Sequence, residues 1–394
     1  MEVKIERILP GGLGLGHAEG RTVMVPLSAP GDRLRVEIER VKGNVSFGRI
    51  MEVVEASSDR VEPPCPYFGR CGGCDFQQLN YQAQLNAKVE IIKDCLRRVG
   101  GFQTVPDFKI IPAANVWHYR SRAQWQYDSI NRRLGYFEGN SRRVCDVAEC
   151  AVLAPELQES LESFRQRARD GSLPDDVKDI RAISGDEVVS IAITRFRNAK
   201  LRESPDSERS RDVTHLIGAE TYSVNAEAFF QTNYDLLPAL LDYALKDASG
   251  SLSIDLYCGV GLFTLPMARK FQYAIGVEAD VVAAKFARAN LTRAGVSNAE
   301  IANEDVAGWL EENLKLGRPD FLLLDPPRSG GESRVIAGIV KLSPQNVCYV
   351  SCDPATLARD LKKLSLSGYA IDSLAAFDMF PQTHHVETVV HLKG

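Results

Sequence analysis

The chain has 394 residues, 44% hydrophobic and 25% charged, with a net charge of −5; at ~100–200 residues per domain this is room for two to four domains, each with a core. No apolar run approaches the ~18 residues that span a bilayer, and MEVKIERILPGG lacks a signal-peptide core, so a cytoplasmic protein without membrane contact is expected, its nine cysteines reduced or metal-bound. The acidic balance argues against a general polyanion binder, so any contact with nucleic acid has to come from a local basic surface.

Residues 1 to 57 alternate in period two (LRVEIERV) between glycine-rich turns (PGGLGLG, APGD), which predicts a small antiparallel barrel. A cysteine-rich stretch, CPYFGRCGGC, follows at 65 to 74, and Leu85, Val89, Ile92, Leu96 and Val99 then recur at helical spacing. From Lys109 to Arg143 seven cations, Arg120, Arg122, Arg132 and Arg133 among them, stand against only Asp128 and Glu138. Trp117, Tyr119, Trp125, Tyr127, Tyr136 and Phe137 are interleaved with these charges, as expected where phosphates are paired and unstacked bases lie on rings. A sheet with its rings in the core gives the same pattern. LRESPDSERSRD (201 to 212) reads as a solvated loop. From about 222 onward SLSIDLY, YAIGVEA, DFLLLD and NVCYVS alternate with helical stretches, the signature of a doubly wound parallel α/β sheet. Three domains result: a barrel over 1–57, a central domain over 58–221 and a catalytic domain over 222–394.

The chemistry concentrates in the last of these. Asp255-Leu-Tyr-Cys-Gly259-Val-Gly261-Leu-Phe-Thr264 closes a strand and opens a helix, where glycines let backbone approach a ligand. Thr264 stands where a dinucleotide fingerprint has its third glycine, and Glu278 follows at the end of the next strand, placed to accept from ribose hydroxyls; an adenosyl group without a required pyrophosphate points to S-adenosylmethionine. Asp325-Pro-Pro-Arg-Ser-Gly330 puts another carboxylate at the same sheet edge, in a loop without cysteine. Of the two thiols in the next strand, Cys348 lies within the apolar run and reads as core. Cys352 falls at the strand end before a helix, whose dipole favours a thiolate. Glu387, at a partly buried position in HHVETVV, suits a general base, while adjacent His384 and His385 point apart on a strand and make a shared metal improbable.

FFQTN (229 to 233), DLYCGVGLFTLPMA, GVEAD, DPPRSG, YVSCDPATLARDL and FDMFPQTHHVETV together resemble the RNA (uracil-C5)-methyltransferases that make 5-methyluridine, and the resemblance covers nearly the whole chain. It implies a class I S-adenosylmethionine methyltransferase fold behind an N-terminal TRAM barrel and a central iron–sulfur domain. It also implies Cys352 as nucleophile and Glu387 as base, with Gln231, Tyr257, Glu278 and Asp325 around S-adenosylmethionine beside Gly259 and Gly261, and Asp305 on the adenine side. Asp353 departs from the Asn usual after the cysteine, and a carboxylate there disfavours the thiolate. By spacing alone Cys65, Cys71, Cys74 and a distant fourth cysteine could hold zinc or a [4Fe–4S] cluster. The resemblance favours the cluster, with Cys150 rather than Cys145 as fourth ligand, although Ala151 replaces the usual following proline.

The implied partner is RNA, with 23S rRNA favoured over tRNA because a barrel with a cluster is more typical of the rRNA-acting members; a monomer is expected. A rival reading from another class, a non-catalytic RNA-binding or assembly factor that retains the fold, is opposed by the intact Cys352 and Glu387.

Overall fold

The computed structural model describes residues 1–196 and 210–394; the stretch LRESPDSERSRD lies outside them up to residue 209. Strands Glu2–Ile8, Gly14–Ala18, Arg21–Val25, Arg33–Lys42 and Val45–Glu55 close into a barrel. Their alternation turns Val3, Ile5, Val23, Val25, Leu34 and Val36 inward. Arg33, Arg35 and Arg49 on the outside pair with Glu55, Glu52 and Glu37, so these barrel cations are largely neutralised by their own strands. The barrel is not free-standing. Ile8 and Ala29 share a core with the helix Tyr81–Cys95, Arg7 reaches Asp94 at 2.9 Å, and Arg60 pairs with the buried Asp32 at 2.6 Å.

That helix buries Ala83, Gln84, Leu85, Ala87, Lys88, Ile91, Ile92 and Cys95. Its inward face is therefore turned from the expected stripe: Lys88 rather than Val89 is fully covered, and Val99 is exposed. The reason is a charge partner, Asp378, supplied 290 residues away.

A central antiparallel sheet runs in the order Val189–Arg195, Val177–Ser184, Arg122–Asp128, Arg133–Phe137 and Val144–Asp146. Ala123, Trp125 and Tyr127 alternate to one face and join Leu157 and Leu161 of the helix Pro155–Asp170 in a single core. Three of the six rings expected to stack on bases are core side chains, Tyr119 and Tyr127 at 6% exposure and Trp125 at 0%, whereas Trp117 and Tyr136 are half-buried and Phe137 is exposed. Arg132, Arg133, Arg142 and Arg143 stay exposed, whereas Arg120 is half-buried beside the cysteines.

The third layer is an eight-stranded sheet in the order Ala299–Ala302, Phe271–Val277, Gly250–Leu256, Phe321–Leu324, Asn346–Ser351, Glu387–Lys393, Ala370–Phe377 and Ile110–Ile111. The first five are mutually parallel; Glu387–Lys393 runs antiparallel between Asn346–Ser351 and Ala370–Phe377, so the sheet is mixed. Apolar clusters cover both faces, as near-continuous apolar strands require. Strand order reverses between Gly250–Leu256 and Phe321–Leu324, and the crevice outside their carboxyl ends is where this architecture binds ligands. No helix among the described residues is long and apolar enough to cross a membrane.

Candidate active site

The first crevice wall is the turn after Gly250–Leu256. Tyr257, Gly259 and Gly261 have φ of 65°, 55° and 87°. The two glycines take this left-handed backbone at no steric cost, while Tyr257 is held there against its preference. The Gly259 N–H donates to Glu278 Oε2 at 2.9 Å and the Asp280 N–H to Oε1 at 2.7 Å, so the Glu278 carboxylate ties the turn to the end of the neighbouring strand. Asp305 lies one strand further out as the N-cap of the helix Val306–Glu312, accepting from the Gly308 N–H at 3.0 Å.

Asp255 is a site residue to which the sequence pattern assigned no role. It is fully buried, takes a hydrogen bond from the Thr264 hydroxyl at 2.5 Å, and leaves Oδ1 without a partner. Burial, with the charges of Asp325 and Glu278, pushes its carboxyl up to about 8. A signal does exist in the chain: an acid as the next-to-last residue of an apolar strand faces inward by alternation, with Thr264 nine residues on. Cys258 is a packed side chain of the same turn, its thiol pushed up by burial.

Asp325 follows directly after Phe321–Leu324; the Gln231 amide donates to its Oδ2 at 3.5 Å, and burial pushes the carboxyl up to about 7. One strand over, Cys348 is wholly covered, which pushes its thiol up and makes it core. Cys352 is half-buried just past the end of that strand. Ser351 pairs with Thr388 in the antiparallel ladder, and continuing this register sets Cys352 across from Glu387. Directly opposed residues place their side chains on one face, with Cβ atoms about 5 Å apart. Glu387 is 2% exposed with no partner at Oε1. Burial and then Asp325 push its carboxyl well up, opposed by Arg328.

The ionisation expected of Cys352 is reversed. Asp353, not the thiol, occupies the N-cap of the helix Pro354–Leu366, accepting from the Ala355 and Thr356 N–H groups at 3.0 and 2.8 Å. Burial, followed by the charges of Glu387 and Asp325, pushes the Cys352 thiol up to about 12; Arg328 opposes this and Asp353 adds to it. The resting side chain is a thiol facing buried carboxylates.

The segment from Asp378 to Val386 is an irregular loop, not a strand. His384 and His385 do not point apart there: their rings lie 4.1 Å apart, His384 is hydrogen-bonded to Asp75, and burial pushes His385 down to about 3.

Cys65, Cys71, Cys74 and Cys150 line one pocket with Arg120 and Tyr136. Cys145 lies apart, beside Arg70 Nε at 3.2 Å. Gln158 fixes the Cys150 backbone by accepting from its N–H at 2.9 Å. Burial pushes the Cys71 and Cys74 thiols up to about 11 and 12. Among the described residues, no group of three or more His, Cys, Asp or Glu side chains is arranged to hold a metal ion.

Comparison with known proteins gives a consistent picture. Residues 193–394 match the model of the tRNA (uracil-5-)-methyltransferase family and residues 1–51 that of the TRAM domain. A Thermotoga maritima protein named an uncharacterized RNA methyltransferase is 32% identical, the match covering 99% of this chain and 98% of its own. A Halalkalibacterium halodurans protein of the same description is 30% identical over 100% of this chain and 96% of its own. Among solved structures, the Pyrococcus abyssi tRNA (uracil-54, C5)-methyltransferase in complex with S-adenosyl-L-homocysteine superposes with a TM-score of 0.76 at 25% identity, covering 99% of this chain and 100% of its own.

Proposed function

The chain belongs to the tRNA (uracil-5-)-methyltransferase family, and we propose that it methylates C5 of a uridine in 23S rRNA through a covalent bond between Cys352 and C6 of the base. The observation that carries this reading is that Cys352 and Glu387 follow the last ladder pair, Ser351 with Thr388, at the carboxyl edge of the sheet, close enough for the Glu387 charge to act on the thiol. Gln231, Tyr257, Gly259, Gly261, Glu278, Asp305 and Asp325 would hold S-adenosylmethionine. Burial and mutual repulsion raise the Asp255 and Asp325 carboxyls beside this turn, and a cofactor that carries a positive charge would favour their ionised forms. S-adenosylmethionine supplies an electrophilic methyl group.

C5 of uracil is too weak a nucleophile to take that methyl unaided. Attack of Cys352 sulfur at C6 forms an S–C6 bond and moves the electron pair of the C5–C6 double bond into an enolate over C5, C4 and O4, which makes C5 reactive. Of the acids facing the thiol, Asp325 takes the Cys352 proton on attack and returns it when the sulfur leaves, so Glu387 stays free as base for the second proton. After methylation C5 carries both hydrogen and methyl. Glu387 removes the proton, the C5–C6 double bond re-forms and the S–C6 bond breaks. To bring C6 to the sulfur the base must leave its stack, at about a few kcal/mol, less where it is unpaired.

The four-cysteine pocket is read as a structural [4Fe–4S] site that pins the central domain. The thiols are not arranged around a single ion, but all four line one pocket beside Arg120, whose buried Nε has no hydrogen-bond partner and whose charge would offset thiolates, a donor set suited to a wider cluster. The second reading, tRNA as substrate, is favoured by the near-complete superposition on a tRNA-acting enzyme, barrel and central domain included. Nucleoside mass spectrometry of rRNA and tRNA from cells with and without the gene tests both. Loss of 5-methyluridine from rRNA is expected. Loss from tRNA alone selects the second reading, and no loss from either overturns the activity.

A further inference from the structure

Glu387 has no hydrogen-bond partner at Oε1 and sits at the first residue of its strand, so its backbone must locate it. On one side that backbone is set by the ladder to the strand that precedes Cys352; on the other, Phe377 pairs with Glu387 and the irregular loop from Asp378 to Val386 closes at this pair. The loop is held from outside the sheet. Lys88, 0% exposed at the middle of its helix, forms an ion pair with the equally buried Asp378 and donates to the Phe380 carbonyl at 3.0 Å. Gln84, one turn earlier, exchanges hydrogen bonds with Gln382, at 3.0 Å to its Oε1 and 2.9 Å from its N–H; Gln382 holds a φ of 69°. Tyr119 donates its hydroxyl to the Pro381 carbonyl at 3.0 Å, and the Asp75 and Phe76 N–H groups reach the Gln382 carbonyl at 3.1 and 3.0 Å.

A buried ion pair is weak as a source of stability, because removing two charges from water offsets most of their attraction. Its placement is informative instead. Asp378 is the residue next to the pair that holds Glu387, and Lys88 fixes it to a helix that also packs on the barrel. We infer that Lys88 and Asp378, with Gln84, are positioning residues for Glu387: they set its carboxylate where it can take the C5 proton, so that they act on the step after methyl transfer and not on binding. This rests on the role of Glu387 proposed above.

The variant Lys88→Met/Asp378→Asn removes both charges at nearly constant shape and leaves no buried ion unpaired. A displacement of about 1 Å at a catalytic group can cost about a hundredfold in rate, so a fall in kcat of that order is expected, with KM for RNA falling alongside it as adduct accumulates and the dissociation constants for RNA and cofactor unchanged. On unmodified rRNA and tRNA from a strain lacking the gene, the variant should accumulate a covalent protein–RNA species carrying methyl. Transcripts substituted with 5-fluorouridine, in which no proton at C5 remains to be removed, should form adduct at the parental rate. Unchanged kcat overturns the inference, as does slowing of the fluorouridine adduct in step with kcat. If the double variant does not fold by circular dichroism, Gln84→Met, which lacks the amide exchange, is held to the same two criteria. Glu387→Gln run alongside separates the premises: normal turnover by it removes the role of Glu387 itself, whereas adduct in Glu387→Gln without adduct in the positioning variants sinks this inference alone.

Discussion

Replacing Asp255 by Asn makes the ionisation of the buried acid beside the Tyr257–Gly261 turn measurable. The carboxyl rises from 3.8 to about 8 on folding, chiefly through burial. Between those values the native state holds a proton that the unfolded chain has lost, so stability falls as pH rises through the window and levels off above about 8. At 1.36 kcal/mol per unit, the loss between pH 5 and pH 8 is about 4 kcal/mol, as an upper estimate. Asparagine keeps the shape and can still accept from the Thr264 hydroxyl, but it does not titrate. Whatever fixed cost it adds, the stability of Asp255→Asn relative to the parent should therefore rise by up to that amount from pH 5 to pH 8, a relative shift of roughly 10 °C in Tm for the catalytic layer. Asp325 and Glu387 titrate in both proteins and largely cancel from the difference. Urea or thermal melts of the two proteins at unit pH steps measure it. Parallel stability profiles would refute the claim that Asp255 is buried as a neutral acid.

Lys88→Met alone should lower stability by about 3–5 kcal/mol, because it strands the Asp378 charge in the interior, and adding Asp378→Asn should restore most of the loss in a denaturant melt. Cys348→Ala should keep full activity and cost on the order of 1 kcal/mol through a small cavity, while Cys352→Ala should bind RNA and form no adduct on a denaturing gel. Protein purified without oxygen should contain iron and sulfide in near-equal amounts and lose both in Cys71→Ser; stoichiometric zinc without iron would replace the cluster assignment. Arg132→Ala with Arg133→Ala should reduce the salt dependence of RNA binding by about one unit for each phosphate left unpaired, and an unchanged slope would make these charges mere surface solvation.

What the sequence determined by itself was local. The alternation of LRVEIERV makes barrel strands, DLYCGVG makes a strand end and a turn with two left-handed glycines that leads into a helix, and Cys352 directly follows a strand, all within a few residues of chain. Hydrogen bonding and side-chain direction within one element depend on near neighbours, so pattern suffices for them. The same reasoning failed where the answer depended on distant neighbours. A basic, ring-rich stretch could serve RNA or a core, and the helix Pro155–Asp170 claimed Trp125 and Tyr127 for the core. The helical stripe turned out to be centred on Lys88 because Asp378 arrives from the far end of the chain. Local logic put Cys352 where a helix N-terminus favours a thiolate and Asp353 opposes it. Asp353 takes the cap within its own turn, and tertiary structure brought Asp325 and Glu387 from two other strands, so the resting residue is a thiol. Desolvation and charge repulsion are sums over everything packed around a group, and that sum exists only once the chain has folded.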